Sequence, residues 1–340
     1  MCFNECMEEL RQTAGRLVSG GKGIFAADAS VKSISARLAK YGVAESEEER
    51  RKYRQLLFTT PGIGEFVSGV IMHDESFRQT DGSGKLFRET LAEAGILPGI
   101  KVDRGTVDLA NFPGEKVTEG LDGLRERLEE YAQMGACFTK WRAVIVIGEK
   151  IPTREAIKIN ADILARYAAL SQEAGMVPVV EPEVVMEGGH NAERCAEVTT
   201  QTGKIVFEVL AEMKVDFGGM IYKVNMILPG RENREEISDE DVAQKTCEVL
   251  GRIVPVDTAG VVFLSGGQDP VTATRRLNAI VKHDKTAWPM TFSFERALEQ
   301  AAMEKWLGKD ENIEFAQKEL LYRARMNSLA ARGFYSGEDV

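Results

Sequence analysis

Short apolar, β-branched runs alternate with longer stretches of helical periodicity along the whole chain. The runs fall at residues 23–28 (GIFAAD), 66–73 (FVSGVIMH), 99–103 (GIKVD), 136–147 (ACFTKWRAVIVI), 176–181 (MVPVVE), 219–226 (GMIYKVNM), 260–265 (GVVFLS) and 288–294 (WPMTFSF). Their length and β-branched content predict buried strands. Between most of them, as at residues 154–174 and 241–253, apolar residues recur at helical spacing with charges on the opposite face. Apolar strands separated by amphipathic helices predict a parallel sheet covered by helices. Eight such units without a Pro/Gly/Ser-rich linker predict a (β/α)8 TIM barrel, with residues 1–340 as a single domain. A helix at about 1–20 would precede the barrel, and a short tail would follow about residue 333. An open doubly wound sheet is the alternative, but no GxGxxG turn follows the first strand.

Composition narrows the function. A prior of about 150 residues per domain would divide the chain in two, yet α/β barrels run past about 250 residues as one unit. Hydrophobic residues at 44% and charged residues at 28% permit a large packed core and exclude disordered and collagen-like classes. No apolar run approaches the roughly 20 residues that span a bilayer. The opening MCFNECMEELRQTAGRLV is acidic and amphipathic, unlike a signal peptide, so a cytoplasmic protein with no membrane partner is expected. A formal net charge of −10 disfavours nucleic acid as a partner but leaves room for an anionic small substrate in a local basic pocket. Cys2, Cys6, Cys137, Cys195 and Cys247 are scattered without a CxxC pair and read as reduced thiols. His73, His190 and His283 form no ligand pattern, so neither a metal nor a cofactor is expected.

Active sites of such barrels lie at the C-terminal ends of the strands. Nearly every strand candidate ends there in ionisable or small polar residues: Asp28 and Ser30, Asp74 and Glu75, Lys101 and Asp103, Lys140 and Arg142, Glu181 and Glu183. Lys223 and Asn225, then Ser265 with Gly266 and Gly267, then Ser293 and Arg296 complete the set. Strand ends are often simply wet, so alternation is the sharper guide, because residues two apart share a face. Ala26, Asp28 and Ser30 share one, Phe138, Lys140 and Arg142 another, Val179, Glu181 and Glu183 a third, and Ile221, Lys223 and Asn225 a fourth. If Lys223 and Lys140 both enter the barrel mouth, burial and like charge would each lower an amine pKa. A neutral amine forms Schiff bases with carbonyl substrates, Glu181 is placed as a proton shuttle, and Asp28 could be a second carboxylate. The segment FLSGGQ puts a hydroxyl and two glycines after the seventh strand. A tight turn would explain it equally, but barrels often bind phosphate in the loops after strands 7 and 8, and Arg296 follows the eighth.

In order and with compatible spacing from about Gly23 to Gly333, these segments resemble the class I fructose-bisphosphate aldolases. The residues that carry the likeness are Asp28 in GIFAADASVKSI, Lys101 in PGIKVDRG, Lys140 and Arg142 in FTKWR, Glu181 in VVEPEV, Lys223 in YKVNM, Ser265 in FLSGGQ and Arg296 in FSFERAL. The resemblance implies metal-independent, reversible cleavage of fructose 1,6-bisphosphate to dihydroxyacetone phosphate and glyceraldehyde 3-phosphate. It also implies a sugar bisphosphate as substrate and a homotetramer. By matched position, Lys223 resembles the Schiff-base lysine and Glu181 the acid/base that dehydrates the carbinolamine. Lys140 resembles the lysine that supports that step and keeps the attacking amine neutral, and Asp28 the base for the C4 hydroxyl. Glu183 resembles a member of the same charged network. Ser265, Gly266, Gly267 and Arg296 resemble the C1-phosphate site, Ser30, Ser33 and Lys101 the other phosphate site, and Arg142 a substrate-binding arginine.

Three positions depart from the family pattern. Ala29 stands where a carboxylate often follows the catalytic aspartate. Glu295 replaces a small residue before the phosphate arginine, so its charge is expected to point away from the phosphate. The sequence ends at Val340 without a terminal tyrosine, so proton transfer at the enamine is expected to use another group or be slower, and Tyr335 has no claim to the role. The same chemistry on sedoheptulose 1,7-bisphosphate is the nearest rival reading, since a clamp on two phosphates tolerates changes between them.

Overall fold

All eight apolar runs form strands, and they close into one barrel. The computed structural model describes residues 3–337. In chain order its strands are β1 (Gly23–Ala27), β2 (Val67–Met72), β3 (Leu97–Lys101), β4 (Thr106–Asp108), β5 (Lys116–Thr118), β6 (Phe138–Ile145), β7 (Val177–Val184), β8 (Ile221–Val224), β9 (Gly260–Phe263) and β10 (Met290–Phe294). Around the barrel they run β1-β10-β9-β8-β7-β6-β3-β2, every neighbouring pair parallel, with helices between successive strands: a TIM barrel. The helix expected at about 1–20 runs Phe3–Val18.

Two cores hold the barrel. The larger lies between sheet and helices; the smaller fills the interior with Ile24, Ala26, Ile71, Leu97, Phe138, Val177, Val179, Ile221 and Val262. Leu10, Ala14, Leu17 and Val18 of the first helix join the interior core, so that helix closes the N-terminal end and leaves the C-terminal end as the mouth. Phe138 determines how the floor packs. A β-carbon on Gly99 would fall 2.2 Å from its ring and one on Gly69 2.9 Å, so two glycines on adjacent strands make the hollow the ring occupies.

Three details differ from the sequence expectation. β8 begins at Ile221, because Phe217–Gly219 makes a 3-10 turn. Asn225, grouped above with Lys223, leaves the mouth: its side-chain oxygen accepts from Val184 N at 3.2 Å and its amide donates to Thr199 Oγ1 at 3.2 Å. It thereby bridges β7 and β8 beyond their short ladder. The antiparallel β4–β5 hairpin was not expected; its strands are three residues each and β4 is exposed, too short for an alternation signal. Thr118 Oγ1 on β5 donates to the Arg142 carbonyl at 2.8 Å, so the hairpin braces the mouth end of β6. Cys137, Cys195 and Cys247 are free thiols, while Cys2 and the side chain of Cys6 lie outside the described residues.

The floor packing predicts that Gly99→Ala destabilises the protein by about 1–3 kcal/mol through overpacking. Chemical denaturation measures it, and trimming the ring with Phe138→Leu in the same chain is expected to recover part of the loss.

Candidate active site

Alternation delivers side chains to the mouth, and register sets their heights. In the β6–β7 ladder Lys140 stands opposite Val179 and Arg142 opposite Glu181; in the β7–β8 ladder Val179 stands opposite Ile221. Counting two residues up from that last pair puts Lys223 level with Glu181, and both rise above an apolar layer of Val179 and Ile221. Lys101 stands opposite Lys140 on the other side. These groups meet in a cavity of about 320 Å³, which also takes in Asp28, Ser30, Ser33, Glu183, Ser265, Gly266 and Arg296.

The deepest part is a chain of alternating charges. Lys140 Nζ lies 2.9 Å from Asp28 Oδ2 and 2.9 Å from Glu181 Oε2, and the other Glu181 oxygen lies 3.1 Å from Lys223 Nζ. All four residues are 6% exposed or less, so water does little to screen them. Burial alone would raise Asp28, but the charges of Lys140, Lys223 and Lys101 outweigh it and hold the carboxyl at about 2. Burial would likewise raise Glu181, and Lys140, Lys223 and Arg142 pull it below the ordinary range. For Lys140 the expectation of a lowered pKa is wrong. Burial does push in that direction, but Asp28 and Glu181 outweigh it and keep the ammonium charged.

Further out, Arg142 pairs with Glu183, and its backbone N–H donates to Asp103 Oδ2 at 3.2 Å. Lys101 pairs with Asp103 and donates to its carbonyl at 3.0 Å. Ser30 caps the helix Val31–Ala39 by accepting from Ser33 N at 3.2 Å, which fixes both hydroxyls at the rim, 3.0 Å apart. In the loop after β9, two strands round the barrel from β1, Gly266 and Gly267 have φ of 56° and 74°, a left-handed turn that suits glycine. Gly267 stands behind the wall: a β-carbon there would fall 1.5 Å from Arg231 Nη2 and 2.8 Å from Arg296 Nη2.

Alternation missed several groups. Arg37 lines the cavity from the helix Val31–Ala39, one turn on from Ser33 and on the same face as Ser30 and Ser33; the spacing of 30, 33 and 37 was the available signal. Thr106 also lines it without having been expected, while Asp103 and Ser293, named among the strand-end residues, line it as well; the buried Ser293 hydroxyl has no protein partner among the described residues. Glu295, whose charge was expected to point away from the phosphate, pairs its carboxylate with Arg37 and is among the residues that line the cavity. Tyr335 is buried elsewhere, its backbone N–H donating to Asn278 Oδ1 at 3.1 Å.

Because Asp28 ionises at about 2 in the fold, its ionisation favours the folded state above the ordinary carboxylate range and stops doing so as pH falls toward about 2. Asp28→Asn is therefore expected to lower the urea midpoint at pH 7, with the gap to the unaltered protein closing as the pH is lowered from about 4. A gap constant between pH 7 and pH 3 would contradict the assigned ionisation.

The comparisons with known proteins agree with this geometry. The family model described as fructose-bisphosphate aldolase class-I matches residues 9–340. The probable fructose-bisphosphate aldolase class 1 of Xanthomonas axonopodis pv. citri is 48% identical over 333 residues, 97% of this chain and 99% of that protein. Fructose-bisphosphate aldolase 4, cytosolic, of Arabidopsis thaliana is 46% identical over 97% of this chain and 84% of its own length. A crystal structure of the Plasmodium falciparum fructose-bisphosphate aldolase, in complex with TRAP and a small-molecule inhibitor, superposes with a TM-score of 0.97 at 42% identity, covering 98% of this chain and 97% of that one. Alternating charges on the floor of a closed barrel and likeness over nearly the full length lead to one conclusion: this chain belongs to the class I fructose-bisphosphate aldolase family.

Proposed function

We propose that Lys223 is the nucleophile of a Schiff-base aldol cleavage, with fructose 1,6-bisphosphate as substrate. The supporting observation is Glu181, which reaches Lys223 with one oxygen and Lys140 with the other. As the Lys223 amine attacks the substrate ketone, the proton it sheds has an acceptor 3.1 Å away. The protonated Glu181 returns that proton to the alkoxide oxygen, giving the carbinolamine hydroxyl; a second proton, taken up by Glu181 from solvent and passed to that hydroxyl, lets it leave as water, and the cationic iminium remains on Lys223. Lys140 stays charged throughout and stabilises Glu181 as a carboxylate when the proton departs.

Asp28, held ionised at about 2, takes the C4 hydroxyl proton. The C3–C4 bond breaks, its electron pair flows into the iminium to give an enamine, and glyceraldehyde 3-phosphate leaves. Protonation of the enamine at C3 and hydrolysis of the restored iminium release dihydroxyacetone phosphate and regenerate Lys223. Ser265, Gly266 and Arg296, with Gly267 behind them, are assigned to the C1 phosphate. Ser30, Ser33 and Lys101 are assigned to the other phosphate, and Arg142, oriented by Glu183, to the sugar between them. Assembly as a homotetramer and residence in the cytoplasm belong to the same proposal and rest on family membership. No helix among the described residues is long and apolar enough to cross a membrane.

Borohydride reduction in the presence of dihydroxyacetone phosphate, followed by peptide mapping, is expected to place one adduct on Lys223. Its absence there would overturn the assignment, as would activity retained by Lys223→Met. Glu181→Gln is expected to slow iminium formation by about 10²- to 10⁴-fold, read by rapid quench. Arg296→Ala is expected to raise KM by about 10- to 100-fold with a smaller change in kcat, and an unchanged KM would remove it from the phosphate site.

A further inference from the structure

The wall assigned to the C1 phosphate contains an unexpected carboxylate. β10 runs through Ser293 to Phe294, Glu295 follows, and Arg296 begins the helix Arg296–Trp306. Glu295 occupies the N-cap position of that helix but makes no capping bond with its side chain. The carboxylate turns instead to Arg37 on the helix Val31–Ala39. Arg37 already has a partner, since Nη1 meets Glu299 Oε1 at 2.6 Å.

The two carboxylates differ in a way that matters. The Glu299 side chain is 4% exposed and the Glu295 side chain 32%, and of the two only Glu295 lines the cavity. Two anions on one guanidinium leave a surplus negative charge. Burial first, and then the neighbouring Glu295, push Glu299 up to about 7 against the pull of Arg37, as expected for a crowded site. The Arg37–Glu299 contact is the deeper of the two and Glu295 the more exposed, so Glu295 is the partner that can be exchanged. An arriving phosphate at Ser265, Gly266 and Arg296 meets a negative charge in the same cavity, and the cation paired with that charge, Arg37, itself lines the cavity.

We propose that Glu295 is a built-in rival of the substrate phosphate: it occupies Arg37 in the empty cleft, must give way when phosphate binds, and so sets affinity and release. The inference rests on the reading that this wall receives a phosphate. Its consequence is weaker binding and faster departure of phosphorylated ligands than the cations of the wall would give alone. Glu295 is a specificity-determining residue in this scheme and takes no part in bond breaking.

The test uses the full-length enzyme with Glu295→Gln, which keeps size and polarity, and Glu295→Ala, which removes both. Steady-state KM for fructose 1,6-bisphosphate and competitive inhibition by inorganic phosphate are measured beside borohydride labelling of Lys223. Both variants are expected to lower KM and the phosphate Ki together by about tenfold, as removing one like charge from an anion site does, with the Lys223 adduct still formed. An unchanged or raised phosphate Ki, with labelling intact, would overturn the proposal, as would a fall in only one variant. Loss of labelling in the unaltered enzyme would instead indict the Schiff-base reading, so the two failures are distinguishable.

Discussion

Everything in the mouth of this barrel depends on one shared carboxylate. Glu181 is buried at 3% exposure between two lysines, and a charge removed from water that far is tolerable only when fully paired. The pairing extends in both directions, to Lys223 on one side and through Lys140 to Asp28 on the other. The four groups come from β1, β6, β7 and β8 or the residues just past them, so the network exists only if the strands keep register. A slip of one residue would turn each of these side chains into the helix-facing core. The apolar floor with Phe138 in its hollow of two glycines fixes that register from below.

The cleft divides by depth. Its floor carries balanced charge, which suits proton transfer between fixed neighbours. Its rim carries cations that are mostly paired, Lys101 with Asp103, Arg142 with Glu183 and Arg37 with Glu295, with Arg296 beside them, a set that can exchange carboxylate partners for an incoming dianion. The formal net charge of −10 over the whole chain therefore says little about the substrate, because Lys101, Lys140, Arg142, Lys223, Arg296 and Arg37 converge in one cavity. Lys140 shows how far local pairing outweighs burial: its depth would favour the neutral amine, and two carboxylates at 2.9 Å keep it charged.

What the sequence made legible follows from the range of each signal. Strand runs are local, so all eight barrel strands could be read from apolar spacing. Period-2 alternation is local too, and it put Asp28, Lys140, Glu181 and Lys223 on inward faces. The hairpin at Thr106–Asp108 and Lys116–Thr118 is too short and too exposed to leave a pattern. The pairing of Arg37 could not be read locally, because its partners Glu295 and Glu299 lie more than 250 residues away in the chain. The same distance hid the direction of Glu295 and the charge state of Lys140, whose partner Asp28 is 112 positions away. Long-range pairing is what composition and periodicity do not encode.

The central claim is that Lys140 and Glu181 act as a unit on Lys223. A double-mutant cycle tests it most directly, using Lys140→Met, Glu181→Gln and the pair together, read as the single-turnover rate of adduct formation on Lys223 with dihydroxyacetone phosphate. If Lys140 works through Glu181, the double variant will be no slower than the slower single variant, within about threefold. If the two losses multiply, the residues contribute independently and the shared carboxylate does not organise the site.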